Sequence, residues 1–144
     1  MPRRKSKKIR EPERDYSHRA LLDKLGVKPG LRIAVLDVRD DDFLRDHLAR
    51  VPDFSKGPSN GPAEGWDLIF LATESKGDLR QVKSLAGKLQ KAGALWIVYP
   101  KGQAHIREAD VFAAGKSAEL TDNKVCRFSE THTALRFVIP VGRR

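Results

Sequence analysis

The sequence predicts a three-layer α/β/α domain that ends in an antiparallel β-hairpin. Three observations lead there. Leu31–Val38, Trp66–Thr73 and Ala94–Pro100 are near-continuous apolar runs, the pattern of strands buried on both faces. Between the last two lies Asp78–Ala92, with Leu79, Val82, Leu85, Ala86 and Leu89 at helical spacing, so the strands it joins are expected to pair in parallel through a right-handed crossover. Lys124–Ser129 and Ala134–Val141 then read as two strands joined by a connection short enough for a hairpin.

The elements follow in order. Ser17 is a good N-cap for a helix over His18–Leu25, with Ala20, Leu21, Leu22 and Leu25 apolar and Gly26 as its stop. Val27-Lys28-Pro29-Gly30 is turn chemistry leading into the first strand. Asp40–Asp42 can cap a second helix, where carboxylates favour the positive end of the dipole, and Phe43, Leu44, Leu48 and Val51 supply its apolar side. Pro52–Gly65 holds three prolines and three glycines without periodicity and reads as a surface loop. Arg107–Ser117 is a weaker helix carrying Ala109, Val111, Phe112, Ala113 and Ala114. Leu36, Ile69, Leu71, Leu95, Ile97, Leu135 and Phe137 are the expected core.

Length and composition bound the function. At 144 residues, 40% apolar and 33% charged, the chain is one globular domain, read as residues 17–144 after an arm at 1–16. Its longest apolar run, Ala94–Tyr99, is six residues against the roughly 18 a membrane helix needs, and no apolar stretch follows the basic start as in a signal peptide. One cysteine permits no internal disulfide and no cysteine-based zinc cluster, so a reducing cytoplasm is the expected setting. His18, His47, His105 and His132 fall on separate elements without metal-ligand spacing, and no metal is expected.

The net charge of +9 is uneven. Arg3, Arg4, Lys5, Lys7, Lys8, Arg10 and Arg14 face only Glu11 and Glu13 within residues 1–14, beside Pro2 and Pro12, which reads as a disordered basic arm. Such an arm is a solvated tail or a nonspecific contact for nucleic acid or an acidic protein. It has no interleaved aromatics to stack bases, and the chain carries no helix-turn-helix, RRM or KH signature. Arg80, Lys83, Lys88 and Lys91, away from the apolar stripe of the Asp78–Ala92 helix, add a basic face.

Open α/β sheets bind ligands beyond the carboxyl ends of their strands, which places Asp37, Arg39, Thr73, Glu74, Ser75, Lys76 and Lys101 along a candidate crevice. Polar strand ends are also what any solvated loop contains. Cys126, beside Val125 in a strand, is expected to be buried packing, and a Cys126–His132 pair across the final hairpin lacks an assignable orienting acid. No catalytic residue is assigned.

The order of strands and helices, with Leu79-Arg80-Gln81-Val82 through Ala92-Gly93-Ala94-Leu95-Trp96-Ile97-Val98-Tyr99-Pro100-Lys101, is similar to the carboxyl-terminal half of class I methyltransferases, implying a reduced Rossmann-like scaffold. Lys24-Leu25-Gly26-Val27-Lys28-Pro29-Gly30, Leu95 to Lys101, and Asp122-Asn123-Lys124-Val125-Cys126 through Glu130-Thr131 resemble a family of short bacterial proteins, domain of unknown function 3052, over about residues 17–141. That family implies a fold and no activity. In the methyltransferases an acid at the end of the first strand precedes spaced glycines that let backbone approach the methyl donor. Asp37 matches the acid, but Arg39, Asp41 and Phe43 stand at the glycine positions. No complete strand, helix and strand fits between Val51 and Trp66, so the acid that holds the donor's ribose has no home. Thr73-Glu74-Ser75-Lys76 stands where nitrogen-directed methyltransferases carry a polar residue, two prolines and an aromatic. S-adenosylmethionine is therefore disfavoured. The expected function is a non-catalytic binding or regulatory protein, the alternative being an S-adenosylmethionine-dependent methyltransferase with an atypical donor site.

Overall fold

The computed structural model describes residues 20–51 and 65–144, apart from the side chain of Leu48. The basic arm, the start of the first helix and residues 52–64 of the expected loop lie outside the described residues. Two compact units are present, Met1–Gly30 with Arg39–Asp53, and Leu31–Val38 with Phe54–Arg144.

In the first unit, α1 (residues 20–25) buries Leu22 and Leu25 and ends at Gly26, whose φ of 79° allows Val27 N–H to reach back to the Leu22 carbonyl at 3.0 Å. Helix α2 (Asp41–Arg50) starts as expected: the Asp40 carboxylate accepts from Phe43 N–H at 3.0 Å, with Asp41 and Asp42 in the first turn. Arg50 at its other end donates to Asp23 Oδ1 at 2.8 Å and to the Val27 carbonyl at 3.2 Å, tying α2 to α1. Phe43, Val51 and His47 are buried, the imidazole lying edge-on to the Phe43 ring.

The second unit is one five-stranded sheet in the order β1-β2-β3-β5-β4. Strands β1 (Ile33–Leu36), β2 (Trp66–Ala72) and β3 (Leu89–Pro100) pair in parallel. The hairpin of β4 (Thr121–Arg127) and β5 (His132–Val138) folds back so that β5 lies antiparallel between β3 and β4. On one face Ile69, Leu71, Leu95, Ile97, Leu135 and Phe137 form a core with Leu79, Val82, Leu85 and Val111 from the covering helices, and Leu36 packs at its margin. On the other face Phe70 and Trp96 are fully buried and stacked 3° from parallel.

The crossover between β2 and β3 differs from expectation. In place of one helix over Asp78–Ala92 there is a 3-10 segment, Lys76–Gln81, then a single short helix α3 (Val82–Ala86). The apolar stripe is real, since Leu79, Val82 and Leu85 are buried, but Leu89 belongs to β3, opposite Trp66. Trp66 N–H donates to the Lys88 carbonyl at 3.0 Å, so backbone pairing captures residues that helical spacing alone would extend the helix through. The strand then bulges between Leu89 and Ala94, bringing Gly93 so close that a Cβ there would lie 2.6 Å from the Trp66 carbonyl oxygen.

Helix α4 (Glu108–Ser117) begins where expected and lies tight on the sheet: a Cβ on Gly115 would overlap the Phe137 ring. The edge strand β4 is mostly exposed. Val125 is 57% accessible and Cys126 only partly covered, which corrects the buried packing expected of that cysteine. The apolar pair Val125-Cys126 reads as interior from sequence, but an edge strand has only one neighbour to bury it.

Candidate functional site

The carboxyl ends of β2 and β3 and the start of β5 gather a set of polar side chains. Thr73 closes β2 against β3: its N–H and its hydroxyl both donate to the Val98 carbonyl, at 2.8 and 3.0 Å, and it is fully buried. Thr73 is thus a strand fastener rather than a ligand-facing group. Glu74 follows and is exposed. Its Oε2 lies 2.8 Å from His132 Nε2, and its carbonyl oxygen lies 2.9 Å from His105 Nε2. One residue after the parallel strand thereby meets both the β3–α4 connection and the hairpin.

Ser75 starts the 3-10 segment, where Asp78 Oδ2 accepts from Glu74 N–H at 2.8 Å and Ser75 N–H at 3.2 Å. Lys76 reaches Asp110 of α4 at 4.0 Å, an exposed pair worth little. Lys101 is exposed and holds the hairpin by its backbone, donating N–H to the Thr131 carbonyl at 3.0 Å. Asp37 is exposed at the end of β1 with a left-handed φ of 62°, a conformation that costs a non-glycine residue energy. Arg39 belongs to the first unit.

Sequence reasoning passed over the rest of the site. A cleft of about 540 Å³ opens past the end of β3, lined among others by Tyr99, Lys101, Ile106, Arg107, Glu108 and Thr133. The Tyr99 hydroxyl donates to Glu108 Oε2 at 3.2 Å. Burial first, and the Glu108 charge second, push this phenol up to about 12, so it remains a proton donor at neutral pH. Beside the cleft, Thr131 Oγ1 lies 2.7 Å from His132 Nδ1 and 3.3 Å from Ser129 Oγ. Of the Cys126–His132 pair weighed from sequence, Cys126 is opposite Ala134, and the His132 ring turns to Glu74. The signals in the sequence were the blocks Leu95 to Lys101 and Glu130-Thr131 singled out by resemblance, and His132 weighed beside Cys126.

No protein-family model matches this chain, and no curated protein sequence matches it. Solved structures do. An S-adenosylmethionine-dependent methyltransferase from Aquifex aeolicus superposes with a TM-score of 0.58 at 13% identity, covering 85% of this chain and 89% of that one. The N-methyltransferase NodS from Bradyrhizobium japonicum WM9 gives 0.60 at 14%, covering 92% and 99%. Magnesium protoporphyrin IX methyltransferase from Synechocystis, with bound S-adenosylmethionine, gives 0.56 at 11%, covering 96% and 87%. The chain has a Rossmann-like fold of the class I methyltransferase type. Among the described residues no helix is long and apolar enough to cross a membrane.

Proposed function

We propose that this chain is an S-adenosylmethionine-dependent methyltransferase with an atypical donor site. The observation that carries the reading is the likeness of its fold to solved methyltransferases, one of them with the methyl donor bound. The sheet's carboxyl edge supports it further, with a cleft large enough for part of a small molecule.

The usual donor seat does not fit these residues. A glycine turn after the first strand offers bare backbone to the donor, whereas here Asp40 caps α2, Asp41 and Asp42 fill its first turn, and Phe43 is a buried side chain. Asp37 remains as an exposed carboxylate on a left-handed backbone at the end of β1, the position of the superfamily's acid.

Calorimetric titration with S-adenosylmethionine tests the reading. Saturable binding in the micromolar range, weakened at least tenfold in Asp37→Ala, is the expected result. Absence of heat at millimolar donor overturns it in favour of a second reading, a non-catalytic binding or regulatory protein on the same scaffold. That second reading is favoured by one observation, the side chains of Arg39, Asp41 and Phe43 in place of glycines. In it, the arm of Arg3, Arg4, Lys5, Lys7, Lys8, Arg10 and Arg14 supplies a salt-dependent contact to nucleic acid or an acidic protein.

A further inference from the structure

We propose that Thr131 is an activated hydroxyl that attacks carboxylic esters, with His132 as its general base and Glu74 as the residue that positions the base. The inference stands apart from the methyl donor and rests on the direction of protons in one hydrogen-bonded chain: Ser129, Thr131, His132, Glu74.

Each link fixes the next. Ser129 Oγ accepts N–H bonds from His132 at 3.2 Å and from Thr131 at 3.3 Å, which fills both its lone pairs. Its own proton is left to donate to Thr131 Oγ1, 3.3 Å away. Thr131 cannot return that bond, so its hydroxyl proton points to His132 Nδ1 at 2.7 Å. The ring must then carry its hydrogen on Nε2, where the Glu74 carboxylate accepts it at 2.8 Å. The opposite tautomer would set a lone pair of Nε2 against a carboxylate. Sequence distance underlines the arrangement, because Glu74 and His132 are 58 residues apart and meet only because β5 lies beside β3.

This is the connectivity of acid, histidine and hydroxyl that makes an alcohol nucleophilic. Thr131 is exposed, so an ester can reach it. The cleft lies against its neighbours: Lys101, which lines the cleft, donates its N–H to the Thr131 carbonyl, and Thr133, two residues on, lines it directly. In the first step Thr131 Oγ1 bonds to the ester carbonyl carbon while its proton passes to His132 Nδ1. The carbon–oxygen bond to the leaving alcohol then breaks, and that oxygen takes the proton from His132. An acyl-threonine results. Water, deprotonated by His132, hydrolyses it to the carboxylic acid, and His132 returns that proton to Thr131 Oγ1, restoring the hydroxyl.

The test uses 4-nitrophenyl acetate on the full chain, following nitrophenolate release and locating the acetyl group by mass spectrometry on the tryptic peptide 128–136. Acetylation at Thr131 is expected in the wild type. Nitrophenolate release should fall on the order of 100-fold in Thr131→Val and His132→Gln and about tenfold in Glu74→Gln, which keeps a hydrogen-bonding group but not the charge, and no acetyl group should appear at position 131 in Thr131→Val. Thr131→Ser should retain acetylation at position 131. Melting curves accompany each variant, and substitution of the exposed Thr131 leaves the core untouched. Acetyl groups on lysines alone, or equal release from all variants, overturn the proposal. Neither outcome depends on whether S-adenosylmethionine binds.

Discussion

Two strand-to-helix connections in this chain begin alike and end differently. After β1, four residues lead into α2, and the acid at the end of the connection, Asp40, caps the helix with its carboxylate. After β3, seven residues lead into α4; Asp110 inside the helix takes the equivalent role by accepting from Arg107 N–H at 2.9 Å, and the longer connection opens a cleft. In the short connection Asp40 is committed to the helix backbone, while Asp37 and Arg39 stay exposed. In the long one His105 meets Glu74, and Glu108 at the start of α4 meets Tyr99. After the first strand the capping acid is committed to its helix, whereas the middle of the sheet gathers side chains from several elements.

The sharpest way to break this contrast is to remove the support of the second connection. Ile97 on β3 is fully buried, in register with Leu71 on one side and Leu135 on the other. Ile97→Ala should destabilise the chain by about 2 to 5 kcal/mol through lost burial and an unfilled cavity. Chemical denaturation measures it, and an unchanged midpoint would mean that β3 is not the central strand on which the cleft stands.

How much of this was legible depends on whether a feature is local. The strands were, because buried strands need apolar runs such as Leu95-Trp96-Ile97-Val98 that no exposed loop tolerates, and the α2 cap was, because three acids before Phe43 have one obvious use. The helix before β3 was misjudged because Leu85 and Leu89 keep helical spacing even though Leu89 pairs with Trp66 on another strand. Cys126 was misjudged because the pair Val125-Cys126 was weighed without the polar Thr121-Asp122-Asn123-Lys124 before it, which mark an exposed edge strand. In the candidate site, Glu74 and Lys101 were found by the rule that ligands gather at strand ends. His132 was weighed only beside Cys126 and Thr131 stood only in a resembling block, since their partners come from the insertion of β5 beside β3, and no periodicity records that.

On the α2 side the expected effect is pH-dependent. Burial, with the Arg50 charge second, depresses the His47 imidazole from 6.5 to about 4. The unfolded chain then binds a proton at higher pH than the folded one, so the contribution is intact above pH 6.5 and is lost as pH falls from there toward 4. The loss is up to about 3 kcal/mol, smaller than the largest cost expected at Ile97. Urea midpoints at pH 7 and pH 4.5 should diverge less in His47→Leu than in the wild type. Equal divergence would show that His47 is not buried in its neutral form.

The smallest effect bears most directly on the contrast between the connections. If the Asp40 carboxylate is committed to the helix, Asp40→Ala removes an N-cap bond to Phe43 N–H and should cost about 1 kcal/mol. Asp40→Asn, which keeps an acceptor but drops the charge, should recover most of that, because the geometric bond matters more than the helix-dipole attraction at an exposed terminus. Neither variant should change the reaction of Thr131 with 4-nitrophenyl acetate, since Asp40 lies in the unit that does not contain the hairpin. If instead Asp40 is held for a ligand, its removal should leave stability unchanged or raise it, as substitutions at binding sites often do. A melting temperature raised by Asp40→Ala would therefore reverse the contrast and move the chemistry back to the end of β1.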